Sequence, residues 1–177
     1  MRTKFQSLTN LIAAVMVLSI GQAQPALSAD PGDSAAAQQE SIANMSEVEL
    51  RTAIERFIND FYLAGENLSR DEMKIIYAPV VDYFGQRRKT RTAIMKNQRA
   101  YYRRWPERLF EMIPGTLAIE RKDSANGIVD VTFEYFYETR SAKRVSRGQG
   151  VSYLTLDFTV EGGQIIREGG KVLKRFR

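Results

Sequence analysis

The chain of 177 residues contains no cysteine and no histidine. Without cysteine there is no disulfide, no thiol nucleophile and no lipid carried on a cleavage-site cysteine. Without histidine the usual zinc ligands and a Ser-His-Asp triad are excluded as well. A metal would rest on carboxylates alone, and acid–base chemistry falls to Asp, Glu, Tyr or Lys; no cofactor is expected. No apolar run reaches the roughly 20 residues that a spanning helix needs, so no stable membrane span is expected. What is present is globular in character. Hydrophobic residues make up 44% and aromatics 10%, which excludes a disordered or fibrous chain. The length suits one domain once a leader is removed.

The first 29 residues read as a secretion signal. Arg2 and Lys4 give a positive start, Leu11 to Ile20 is an apolar run, and Ala26-Leu27-Ser28-Ala29 offers a small-residue cleavage site in two registers. Cleavage after Ser28 leaves small residues at both recognised positions; cleavage after Ala29 puts the favoured Ala last and is the expected register. Residues 30–45 begin small, polar and without periodicity, as a flexible leader does. The folded domain is therefore expected over residues 46–177, in an exported protein, periplasmic or secreted.

Within that domain Ser46-Glu47-Val48-Glu49 is a capping box. Leu50, Ile54, Phe57, Ile58 and Phe61 follow at helical spacing, with Gly65 where the helix should stop. A second box, Ser69 to Glu72, opens a short helix expected to end at Pro79. Val80 to Phe84 reads as a strand, Gln86 to Lys89 as a polar turn, and a longer helix runs from about Arg91 to Pro106. Beyond it the chain reads as four long strands. Leu109 to Glu120 is broken at Pro114-Gly115, and Asn126-Gly127 marks a hairpin. Val129 to Tyr137 alternates strictly, Val145 to Phe158 carries Gly148 and Gly150 where a sheet bends, and Gln164 to Leu173 closes the order. The fold class is α+β: three N-terminal helices packed on a strongly bent antiparallel sheet that forms a cone. Apolar residues on both faces of the strands, Phe136 among them, point to a covered outer face and a homodimer.

The element order and two phrases carry a resemblance. Val81-Asp82-Tyr83-Phe84-Gly85, followed by Lys96 to Arg108 with its Arg-Arg-Trp-Pro-Glu-Arg ending, resembles a bacterial branch of the nuclear-transport-factor-2-like, or SnoaL-like, superfamily of cystatin-like cones. The resemblance covers roughly Ser41 to Phe176 and implies a conical pocket between sheet and helices. It leaves function open, because the superfamily holds isomerases, dehydratases, cyclases and members without catalysis. Asp82 resembles the general-base Asp of the superfamily's ketosteroid isomerases. Phe57, however, stands where those enzymes place a donor Tyr, and only Asp130 and Asp157 offer themselves as the second donor.

Tyr62, Tyr83, Gln98, Tyr101, Tyr102 and Trp105 are candidates for a pocket wall, beside Tyr77; the alternative is filled core for the aromatics and a satisfied internal hydrogen bond for Gln98. Charge is segregated along the chain. Glu40 to Asp82 carries a balance of −5 and Arg87 to Arg108 one of +8. The basic surface, Arg87, Arg88, Lys89, Arg91, Arg99, Arg103 and Arg104, either answers the acidic half through ion pairs or faces an anionic envelope surface. Nucleic acid is not an expected partner of an exported protein. The leading functional reading is an exported, non-catalytic binding domain for a small molecule or an envelope protein. The alternatives are a cofactor-independent isomerase or dehydratase using Asp82, and an adaptor for anionic surfaces. N-terminal sequencing of protein from the native host should begin at Asp30, or at Ala29 in the other register; a full-length chain in the membrane fraction would refute the cleaved signal.

Overall fold

The computed structural model describes residues 45–64, 70–123, 127–159 and 163–176. The signal and leader, Gly65, Ser69 of the second capping box, Asn126 and the Glu161-Gly162 turn lie outside the described residues. Helix α1 spans Glu47–Phe57 and opens as its sequence requires: the Ser46 hydroxyl accepts from the Glu49 N–H, while the Glu49 carboxylate accepts from the Ser46 N–H at 2.9 Å. The chain then continues as a π-helical turn, Ile58–Tyr62, before Leu63 ends it. Such turns insert a residue into the helical ladder and rotate the side chains that come after it. Here the turn carries Phe61 and Tyr62.

Helix α2, Arg70–Ile76, stops three residues short of the expected Pro79, which instead lies exposed within strand β1, Tyr77–Tyr83. The predicted polar turn at Gln86 to Lys89 is strand β2, Gln86–Thr90. Its turn is the two residues Phe84 and Gly85, both at positive φ (48° and 77°), the geometry that matches the twist of a hairpin. Helix α3, Arg91–Arg104, follows directly, with Thr90 as its cap and Trp105 just past its end. The expected single strand before the hairpin is two, β3 (Glu107–Met112) and β4 (Ala118–Asp123), split around Gly115 at φ 79°. Both pair with the same edge of β5, Ile128–Ser141, which runs on into β6, Arg144–Asp157, and β7, Gln164–Phe176.

The sheet order is β2-β1-β7-β6-β5-β3, with β4 also against β5. The sheet is strongly curled and unclosed. One pairing corrects the expected all-antiparallel sheet: β1 and β7 run parallel. The strand that ends the described chain therefore sits in the middle of the sheet, between β1 and β6.

The predicted helical stripe is the core. Leu50, Ile54, Phe57 and Ile58 are buried against Ile94 from α3 and against Val129, Val131, Phe133, Leu154, Leu156 and Ile165 from the concave face. Alternation decides the other side of β5, where Phe136 is 44% exposed and packs near Phe176, with Tyr153 also exposed. Arg121 fastens α1 to β4 by donating to the Met45 carbonyl at 2.6 Å and pairing with Glu47 at 3.2 Å.

The bend of the long strands has a local cause. Tyr135 stands opposite Gly150 and Tyr137 opposite Gly148, so each ring lies over a residue without a side chain. A Cβ added at Gly150 would meet the Tyr135 ring at 2.7 Å. Gly150→Ala should therefore destabilise the fold by about 1–3 kcal/mol, the usual cost of overpacking, read as a lower midpoint in thermal or urea unfolding; an unchanged midpoint would show that the ring is free to move.

Candidate functional site

The curled sheet and the helices leave a cavity of about 420 Å³. Its wall is largely aromatic. The π-turn contributes Phe61 and Tyr62, β1 contributes Tyr77 and Tyr83, the hairpin tip Phe84, α3 Gln98, Tyr101 and Tyr102, and the sheet Phe110 and Tyr135. A single carboxylate stands among them, Glu168 of β7. A bulge at Ile166 puts it there: Ile165 opposite Leu156 and Glu168 opposite Leu154 both turn to the concave side, while Arg167 between them is exposed.

Glu168 is only 6% exposed and is held from two sides. Tyr77 donates to its Oε2 at 2.6 Å and Tyr62 to its Oε1 at 3.0 Å. Behind Tyr77, the Gln98 amide donates to the phenol oxygen at 3.0 Å, which commits the Tyr77 hydrogen to Glu168. Behind Tyr62 lies the Ser152 hydroxyl at 3.0 Å, where either oxygen can donate. Ser152 also reaches the Gly169 carbonyl at 3.5 Å. The two arms therefore differ. The Tyr77 arm is fixed, while the Tyr62 arm reverses when Oε1 takes a proton: the carboxyl then donates to Tyr62, Tyr62 to Ser152, and Ser152 to the carbonyl.

Burial dominates the protonation of this group. Desolvation raises the Glu168 pKa to about 7, and the hydrogen bonds from Tyr77 and Tyr62 lower it only in part. The same burial, with the negative charge of Glu168 beside them, pushes the Tyr62 and Tyr77 hydroxyls well above their ordinary value, so both remain neutral donors. A carboxyl that exchanges its proton near neutrality, beside phenols that do not ionise, can accept and return a proton inside an apolar space. Among the described residues no group of three carboxylates gathers that could hold a metal ion.

Of the residues singled out from sequence, Tyr62, Tyr83, Gln98, Tyr101 and Tyr102 line this one cavity. Trp105 does not: it caps α3, its N–H donating to the Tyr101 carbonyl and its own carbonyl accepting from Arg108. Asp82 is also elsewhere. It alternates away from Val81 and Tyr83, and its carboxylate accepts the Arg88 N–H at 3.1 Å. That bond steadies the bulge in β2, where Arg88 has φ 55° and the ladder shifts register. Phe57 is a core side chain. Asp130 accepts from Thr155 and pairs with Lys122, and Asp157 holds the Thr159 turn; neither lines the cavity. Sequence reasoning missed Glu168 and its pairing with Tyr77. The signal for Glu168 was the adjacent charged pair Arg167-Glu168 inside an otherwise strand-like segment, the same kind of signal that singles out Asp82.

No protein-family sequence model matches the chain, nor does any curated protein sequence. Solved structures do. A scytalone dehydratase-like protein from Novosphingobium aromaticivorans superposes with a TM-score of 0.60 at 15% identity, over 73% of this chain and 87% of that one. The shared fold is the cystatin-like one. A hexachlorocyclohexane dehydrochlorinase of the LinA type from Novosphingobium barchaimii matches this cone at TM-score 0.57 and 10% identity, over 73% and 90%. A protein with a cystatin-like fold from Caulobacter vibrioides does so at 0.56 and 14%, over 70% and 89%. At such identities the likeness is one of fold.

The raised pKa of Glu168 has a direct consequence for the stability of the cone. An acid near 4.5 when unfolded and about 7 when folded binds more protons in the folded state across that window. Its contribution to stability is therefore fully present below pH 4.5 and is lost as pH rises through 7, on the order of 3 kcal/mol in all. Glu168→Gln, which cannot titrate, should flatten the fall in urea-unfolding free energy between pH 4.5 and 7. An identical pH profile in the variant would refute a buried, titrating Glu168.

Proposed function

We propose that the cavity binds a small, mainly apolar or aromatic molecule, and that Glu168 moves a proton on it in a cofactor-independent reaction of the isomerase or dehydratase type. The observation that carries this reading is the buried carboxyl with its pKa near 7, set in an aromatic cavity and gripped by two neutral phenols. A proton leaves a substrate carbon for a free lone pair of Glu168, and the same proton returns to another substrate atom. The Tyr77 hydroxyl keeps its hydrogen on Glu168 throughout, and the Tyr62–Ser152 arm reverses as the carboxyl gains and loses the proton. Neighbours described as a dehydratase and a dehydrochlorinase lend the class support at the level of fold. The role that the family resemblance suggests for Asp82 passes in this proposal to Glu168.

A second reading, an exported binding domain without catalysis, is favoured by one feature. Both Glu168 oxygens already accept a phenol hydrogen bond, so the group is satisfied without a ligand. One experiment separates the two. Small ketones, enones and hydroxy compounds are tested for turnover by the wild type, and binding is followed by calorimetry. The proton-transfer reading expects Glu168→Gln to reduce turnover about 10²–10⁴-fold while ligand affinity changes little. Ligand bound by the wild type and never converted would establish the binding reading, and turnover that survives Glu168→Gln would remove Glu168 from the chemistry.

A further inference from the structure

Helix α3 carries charge of one sign only. Its 14 residues include Arg91, Lys96, Arg99, Arg103 and Arg104 and not one acid. Lys96, Arg99 and Arg103 fall at i, i+3 and i+7, one ridge on the helix surface, where like charges repel. All three are exposed, as are Arg104 and, on the neighbouring strand β2, Arg87 and Arg88. The ion pairs that would answer this face from the acidic half of the chain are missing: among the described residues none of the seven predicted surface cations lies within ion-pair distance of a carboxylate. The acids of α1 and α2 are used instead on Arg51, Lys74 and Arg121.

Two aromatic side chains belong to the same elements. Phe84 sits at the tip of the β1–β2 hairpin, held at φ 48°, and is 50% exposed; Tyr101 of α3 is 37% exposed. Both also line the cavity, so they mark its mouth. A cationic ridge with no internal partner, beside an exposed ring that has no hydrogen-bonding group, matches a surface that is anionic outside and apolar just beneath. We propose that this face, α3 with the β1–β2 hairpin, docks on an anionic lipid bilayer, its cations at the headgroup phosphates and Phe84 in the interfacial layer. A soluble polyanion would satisfy the cations equally well and leave Phe84 in water, which is why the lipid surface is the better fit. The docking stands whether or not Glu168 performs chemistry.

The test is co-sedimentation of the protein, purified from its host after any N-terminal processing, with vesicles. One set is phosphatidylcholine alone and the other contains phosphatidylcholine and phosphatidylglycerol in equal parts. Binding is expected to the mixed vesicles, about tenfold or more tighter than to the neutral ones, and to weaken as salt rises. R99E/R103E should lose about tenfold or more on the mixed vesicles. Phe84→Ser should lose several-fold while keeping the salt dependence. Unfolding midpoints of both variants, changed only at exposed positions, establish that the loss is not a loss of fold. Equal binding to both vesicle sets, or mixed-vesicle binding that R99E/R103E leaves intact, would overturn the proposal. So would heparin or single-stranded DNA bound with no effect of Phe84→Ser and no vesicle binding at all, which would point to a soluble acidic partner.

Discussion

Glu168 is a charged residue in the middle of a sheet, and the ordering of the cavity turns on how it is accommodated. Left without partners, a carboxyl this deeply buried would cost several kcal/mol. The Tyr77 and Tyr62 hydroxyls offset part of that cost, and each comes from a different element: Tyr77 from the first residue of β1 and Tyr62 from the π-helical turn after α1. The same interaction therefore joins the end of the first helix, the first strand and the central strand β7. It also explains the turn itself. A regular continuation of α1 would carry Tyr62 round on the α-helical period, whereas the π-turn delivers its hydroxyl to Oε1.

The hydrogen bonds around Glu168 are unequal in a way that bears on chemistry. Gln98 fixes the direction of the Tyr77 bond, while Ser152 leaves the Tyr62 bond reversible. A site with one rigid and one reversible donor tolerates both protonation states of its carboxyl without leaving a polar hydrogen unpaired. That is the requirement on a group meant to gain and lose a proton inside an apolar wall. The aromatic wall supplies the dry surroundings that raise the pKa, and it supplies shape for an apolar ligand.

Around this centre the molecule divides its charges by place. The acids of α1 and α2 take local pairs with Arg51, Lys74 and Arg121, and Glu168 lies buried in the cavity wall. The cations of α3 and β2 remain on the outside.

Much of this was legible in the chain. The capping box at Ser46, the stripe from Leu50 to Ile58, the helix that ends before Pro106 and the alternation from Val129 to Tyr137 are local patterns, and each is settled by nearest neighbours in sequence. So is the bend at Gly148 and Gly150; and of the six side chains singled out from sequence for a pocket wall, five line the cavity. Tertiary structure decided the rest. The sequence singled out Asp82 and passed over Glu168, although each is a carboxylate inside a strand. Only the parallel pairing of β7 with β1, between residues some 90 apart, brings Glu168 beneath Tyr77. Alternation with Val81 and Tyr83 turns Asp82 out of the cavity, where it accepts the Arg88 N–H at the bulge of β2. Long-range pairing carries no signature in the local period of a sequence, and here it chose which carboxylate was buried.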